Sequence, residues 1–174
     1  KAEELTQLSR HIQAFLDNDF EKAKEYQDLA TDILCSRGIN VNCYTSRKYQ
    51  YEKGEGWNGI EIKNDRRITE TGNIYIETHE KKAEAIEWIE SGILRKDNTR
   101  LWFIGDDKRA WLFSKKQLRA LTKNGNFKQV ETATSLGVLI PVKYIDQHSN
   151  IPLEVFDIEK EKMILENMKH IPEV

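Results

Sequence analysis

The chain has 174 residues, 39% hydrophobic and 32% charged, with a formal net charge of −2. That is enough apolar material for a packed core, which excludes global disorder. The near-neutral balance excludes a generally basic nucleic-acid coat, so any nucleic-acid contact has to come from local basic patches.

The first elements are helical. Leu5, Leu8, Ile12, Phe15 and Leu16 recur at helical spacing, Asn18 and Asp19 interrupt, and Phe20, Ala23, Tyr26, Ala30, Ile33 and Leu34 predict a second helix that stops at Gly38. Ile39 to Thr45 alternates like a strand, and Lys48 to Glu52 reads as the same strand bent or as an edge partner. Gly54, Gly56 and Gly59 then mark a loop of tight backbone. From Ile60 to Asp65 the chain alternates again, and after a polar connection so does Asn73 to Thr78, a predicted hairpin partner.

Lys81 to Ile93 carries Ala83, Ile86 and Ile89 at helical spacing and ends at Gly92. Leu101 to Gly105 and Ala110 to Phe113 are short apolar runs of the buried-strand type, joined by a turn at Asp106–Lys108. Ser114 caps a predicted helix broken by Gly125, Gly137 to Val142 is a late strand, and Glu154 to Ile171 reads as a charged helix. The expected fold is therefore α/β, a mixed β-sheet with an antiparallel meander flanked by helices. We expect one domain over 1–174, with a helical extension at 1–17, a core at 18–114 and strand and helix additions at 115–174.

The two cysteines, Cys35 and Cys43, match neither zinc nor C-x-x-C redox spacing and read as reduced thiols. No apolar run reaches transmembrane length and no signal peptide is visible, so the expected location is cytoplasmic, away from membranes. P-loop, Rossmann and G-x-S-x-G fingerprints are missing from the sequence.

The chemistry gathers at Gly54–Asp65. Alternation puts Ile60 and Ile62 on one strand face and Glu61, Lys63 and Asp65 on the other, with Glu55 in the preceding turn. Two acids at this spacing can converge on a hard cation such as Mg²⁺, with the Ile62 main-chain carbonyl in reach. Lys63 would lie beside a metal-bound water or a phosphate, the arrangement phosphodiester hydrolysis needs. The competing reading is a charged strand face held by cross-strand ion pairs.

An upstream acid followed by Gly59-Ile-Glu-Ile-Lys63 resembles the PD-(D/E)xK nuclease superfamily, and Thr71-Gly-Asn-Ile-Tyr-Ile-Glu77 adds a likeness to small phage-type members. The resemblance covers roughly residues 33–113. It implies a restriction-endonuclease-like αβββαβ core and a metal-dependent nuclease, an endonuclease acting on DNA, with RNA still open as substrate. It implies Glu55 and Glu61 as acids and Lys63 as the lysine, with Mg²⁺, or Mn²⁺ in its place, as cofactor. The family more often has Asp after Pro where Gly54-Glu55 stands. An alternative acid pair is Asp65 and Glu77, with Lys63 or Lys81 as the cation.

Around this site Arg66 and Arg67 could hold a phosphate backbone, Trp57 could stack on a base, and Gln50 could orient water or phosphate. Arg95, Lys96 and Arg100 form another basic cluster, and Lys115, Lys116, Arg119 and Lys123 a third along one predicted helix. The alternative function is a non-catalytic domain that binds nucleic acid or protein, with Ile164 and Met168 offering a partner surface or a homodimer contact.

Overall fold

The computed structural model describes the backbone of residues 2–42, 58–82 and 84–170, and side chains from residue 18 onward. Gln50, Glu55 and Trp57, with the predicted strand at 43–52, lie outside the described residues.

Helix α1 runs unbroken from Ala2 to Ser36. The predicted break at Asn18–Asp19 does not occur. Asn and Asp inside a helix cost well under about 1 kcal/mol each relative to alanine, too little to stop a helix held by packing farther along. Tyr26, Ala30, Ile33 and Leu34 supply that packing. Gly38 does end the helix, at φ +75°, and the Ile39 N–H returns to the Leu34 carbonyl.

The strands form two four-stranded sheets. In the first, β1 (Ile60–Asn64) lies parallel to β4 (Leu101–Gly105), which pairs antiparallel with β5 (Arg109–Ser114), and β5 with β8 (Glu154–Asp157). The second is antiparallel: β3 (Ile89–Glu90), β2 (Asn73–Glu80), β7 (Ser135–Pro141) and β6 (Lys128–Glu131). The class is α/β with a mixed sheet, as the sequence predicts, but β2 is not the hairpin partner of β1.

The switch between sheets is made by Asp65 and a one-turn helix, α2 (Ile68–Thr71). Asp65 donates its N–H to the Gly105 carbonyl, while its carboxylate accepts the N–H groups of Arg67 and Tyr75. The residue after β1 is thereby tied to both sheets, and β2 is delivered to the second.

The first sheet is the middle layer, and period-2 alternation buries both of its faces. Phe103, Ala110, Leu112 and Phe156 face α1 together with Ile60 and Ile158. Trp102, Ile104, Trp111 and Phe113 face the second sheet, where Ile74, Ile76, Val138 and Ile140 meet them.

The helix predicted at Lys81–Ile93 is replaced by β3 and a 3₁₀ turn at Gly92–Leu94. The described residues of its apolar stripe are not packed, with Ile86 93% and Ile89 48% exposed. Edge pairing to β2 wins instead: the Ser91 N–H donates to the Thr78 carbonyl, and Gly92 sits so close that a Cβ would stand 2.3 Å from the Glu77 carbonyl oxygen.

Beyond β5, the Ser114 hydroxyl accepts the Gln117 N–H and starts α3 (Lys115–Asn124), as expected. A short α4 (Val142–Gln147) follows β7. The predicted helix at Glu154–Ile171 splits: its first four residues are β8, and Asp157 then caps α5 (Ile158–Met168). Ile164 and Met168 are exposed on α5. Among the described residues no helix is long and apolar enough to cross a membrane.

Candidate nucleic-acid-processing site

Strand β1 holds Glu61 and Lys63 side by side. Ile60 and Ile62 point into the α1 layer, so the alternate residues face the second sheet, and Lys63 Nζ lies 2.6 Å from Glu61 Oε1. Glu61 is 2% exposed whereas the Lys63 side chain is 42% exposed. The expected solvated strand face is therefore half buried, with its carboxylate inside and its lysine side chain partly exposed. Thr99 donates its hydroxyl to Glu61 Oε2 at 3.5 Å, and Lys63 Nζ sits 5.7 Å from the centroid of the Trp102 ring.

A second acid–lysine pair stands behind Thr99. Asp97 accepts from Lys115 Nζ at 2.6 Å, from Arg95 Nε at 2.9 Å and from the Thr99 N–H at 3.0 Å. Burial would raise the Asp97 carboxyl, but the hydrogen bonds from Lys115, Arg95 and Thr99 outweigh it and hold the group below its ordinary value. Lys115 also donates to the Arg95 carbonyl and is 8% exposed. This corrects its expected role: Lys115 is a buried brace, and Arg95 is likewise committed to Asp97. Asp97 and Thr99 escaped the sequence reading. The signal that could have found them is the Asp-x-Thr spacing, which favours an Asx-turn.

The rival acid pair does not gather around Lys63. Ile74 and Ile76 face the core, which puts Tyr75 and Glu77 on the opposite face of the second sheet. There Glu77 accepts from the Ser91 and Ser135 hydroxyls. Asp65 is occupied by backbone N–H groups, as above. Lys81 Nζ lies 4.4 Å from the centroid of the Trp88 ring. Ile62 sits in the β1–β4 ladder opposite Phe103, which places its backbone between the two site side chains. Among the described residues no three His, Cys, Asp or Glu side chains are grouped to hold a metal. The described part of the site thus offers one carboxylate, Glu61, which fits as a single oxygen donor.

Of the expected backbone-binding residues, Arg66 is paired with Asp19 through Nη1 at 2.7 Å. Arg67 is exposed, 3.8 Å from Glu70. Lys116 and Arg119 are exposed on α3, where they line a cleft of about 1150 Å³ between that helix and the second sheet. Arg100 and Lys123 line the same cleft, and Thr99 joins it to Glu61. No protein-family model, no curated protein and no solved structure matches the chain.

Proposed function

We propose that the protein is a metal-dependent nuclease that hydrolyses phosphodiester bonds in DNA at Glu61 and Lys63. The observation that carries this is the asymmetric pair on β1, a buried carboxylate 2.6 Å from a lysine whose side chain is 42% exposed, next to a cation-lined cleft. A bound Mg²⁺ would supply charge stabilisation and an activated water, and Glu61 and the Ile62 carbonyl, with Glu55 as the expected second acid, would be the oxygen donors to hold it. The Thr99 hydroxyl, 3.5 Å from Glu61 Oε2, would add a weak donor that helps orient the carboxylate. Lys63, at the solvent boundary, meets the incoming phosphate, neutralises its charge and orients the attacking water.

The test is incubation of the purified protein with supercoiled plasmid, single-stranded DNA and RNA in Mg²⁺ or Mn²⁺. Nicking or cutting that needs the metal and disappears in Lys63→Ala is the expected result. Intact substrates throughout, or a Lys63→Ala variant that cuts like wild type, would refute the reading.

A second reading, nucleic-acid binding without hydrolysis, is favoured by one specific observation: the described residues bring a single carboxylate to the site and close it with a lysine. Binding that persists in EDTA without any cleavage in metal would select it.

A further inference from the structure

The chain as a whole is slightly acidic, yet one cleft concentrates positive charge. Arg100, Lys116, Arg119 and Lys123 are all exposed along it, against one lining acid among the described residues, Glu90. Among the described residues no ion pair engages Lys116, Arg119 or Lys123, in contrast to the paired Arg66 and Lys115. Charges held near one another without acidic partners repel, and a fold retains such an arrangement most readily where an anion relieves it.

The spacing identifies the kind of anion. Lys116, Arg119 and Lys123 are three and four residues apart, so they form one stripe on α3. Seven residues of helix span about 10 Å. Phosphates along one strand of a duplex repeat every ~3.4 Å of axis, so the stripe matches roughly three successive phosphates. A lone phosphate would engage only one end of it. Among the described residues the lining contains no Phe, Tyr or Trp, the side chains on which unpaired bases stack.

We propose that this cleft is a track for the sugar–phosphate backbone of a nucleic acid, read by charge and independent of base sequence. The track ends at the β1 site, because Thr99 lines the cleft and donates to Glu61, while Arg100 Nη2 donates to the Asn58 carbonyl where the chain enters β1. This inference rests on the nuclease reading for what happens at the end of the track, but the track itself requires only binding.

The experiment is fluorescence anisotropy with labelled duplex and single-stranded DNA of two unrelated sequences. It is run in EDTA between 50 and 200 mM salt, comparing wild type with Lys116→Ala/Arg119→Ala/Lys123→Ala. All three side chains are exposed, and an unchanged thermal melt shows that the variant folds. The expected result is at least tenfold weaker binding at 50 mM salt. The slope of log affinity against log salt should also be shallower by about 2 to 3, because each lost phosphate contact removes ~0.7–0.9. Both sequences should be affected equally.

Wild-type affinity and slope in the variant, absence of binding in either protein, or a loss confined to one sequence would overturn the track. So would displacement of DNA by inorganic phosphate at equal concentration, which would indicate a single-phosphate pocket. The two readings fail separately. A wild type that binds with this slope but never cuts removes the hydrolysis and keeps the track. A triple variant that binds and cuts like wild type removes the track and keeps the hydrolysis.

Discussion

Two acid–lysine pairs stand back to back in this molecule, each closed at 2.6 Å, and they differ in where the lysine goes. In Asp97–Lys115 both side chains are sealed, 1% and 8% exposed; Asp97 Oδ1 accepts from Lys115 and from the Thr99 N–H, and Oδ2 accepts from Arg95. In Glu61–Lys63 the acid is as buried, yet the lysine is nearly half exposed. Distance alone would give the two pairs the same role. Exposure separates them: the sealed pair leaves only the 8% exposed Lys115 side chain at the cleft wall, whereas the open pair has a lysine side chain 42% exposed, where a phosphate can arrive. Thr99 lies between them, with its N–H on Asp97 at 3.0 Å and its hydroxyl 3.5 Å from Glu61 Oε2.

The largest effect expected follows from removing one member of the sealed pair. Asp97→Ala leaves the Lys115 ammonium buried without its carboxylate, and breaking a buried pair this way costs about 3–5 kcal/mol. Urea unfolding should show that loss, and Asp97→Ala/Lys115→Met should recover part of it. If Asp97→Ala unfolds within about 1 kcal/mol of wild type, the sealed pair is not a brace and the contrast collapses.

The open pair should respond in activity more than in stability. Lys63→Ala is expected to lower metal-dependent cleavage about 100-fold, the usual size for removing one preorganised donor, with Kd for DNA in EDTA little changed. Equal losses in cleavage and in binding would make Lys63 part of the track and not of the reacting centre.

Acid sharpens the comparison next. Asp97 is held below its ordinary value, with burial opposing and the Lys115, Arg95 and Thr99 hydrogen bonds prevailing. Asp106 behaves similarly, with burial opposed by the hydroxyl and N–H of Thr69 and the N–H groups of Lys108 and Arg109. A depressed carboxyl contributes stability above its unfolded pKa of about 3.9, and that contribution is lost as pH falls through the folded value. Stability should therefore fall below about pH 4, and the fall should be shallower in Asp97→Asn, which has no proton to gain there. Urea midpoints at pH 5 and pH 3 measure both slopes, and parallel losses in the two proteins would rule Asp97 out as a source.

The open pair was legible in the sequence and the sealed one was not, for a physical reason. Ile60-Glu61-Ile62-Lys63 writes its own alternation, so four adjacent residues suffice to put acid and lysine on one face. Gly38, Ser114 and the apolar runs of β4 and β5 were legible in the same local way. Lys115 looked like helix-surface charge because its partner lies 18 residues back, and only the fold closes that gap. The expected helix at Lys81–Ile93 failed likewise, through the bond of the Ser91 N–H to the Thr78 carbonyl, and the β1–β2 hairpin failed because Asp65 sends the chain to another sheet. Glu55, the expected second acid, lies outside the described residues, so of the expected acids Glu55 and Glu61 the described residues place Glu61 alone.

The smallest effect belongs to a third pair, more open than either. Arg66 and Asp19 meet at 2.7 Å with both side chains about two-fifths exposed, at 42% and 40%, and exposed pairs of this kind contribute about 0–1 kcal/mol. Arg66→Ala should therefore move the urea midpoint hardly at all. Its informative readout is the salt dependence of DNA binding. If Arg66 exchanges Asp19 for a phosphate on binding, the slope becomes shallower by about 0.7–0.9; if Asp19 keeps it, the slope stays at the wild-type value. Asp19→Ala separates the two further, because freeing an arginine already used for DNA tightens binding, while freeing one that never reaches DNA leaves binding unchanged. An arginine that contributes to neither measurement would show that exposure permits a role at this surface without conferring one, and that nearness to the cleft decides.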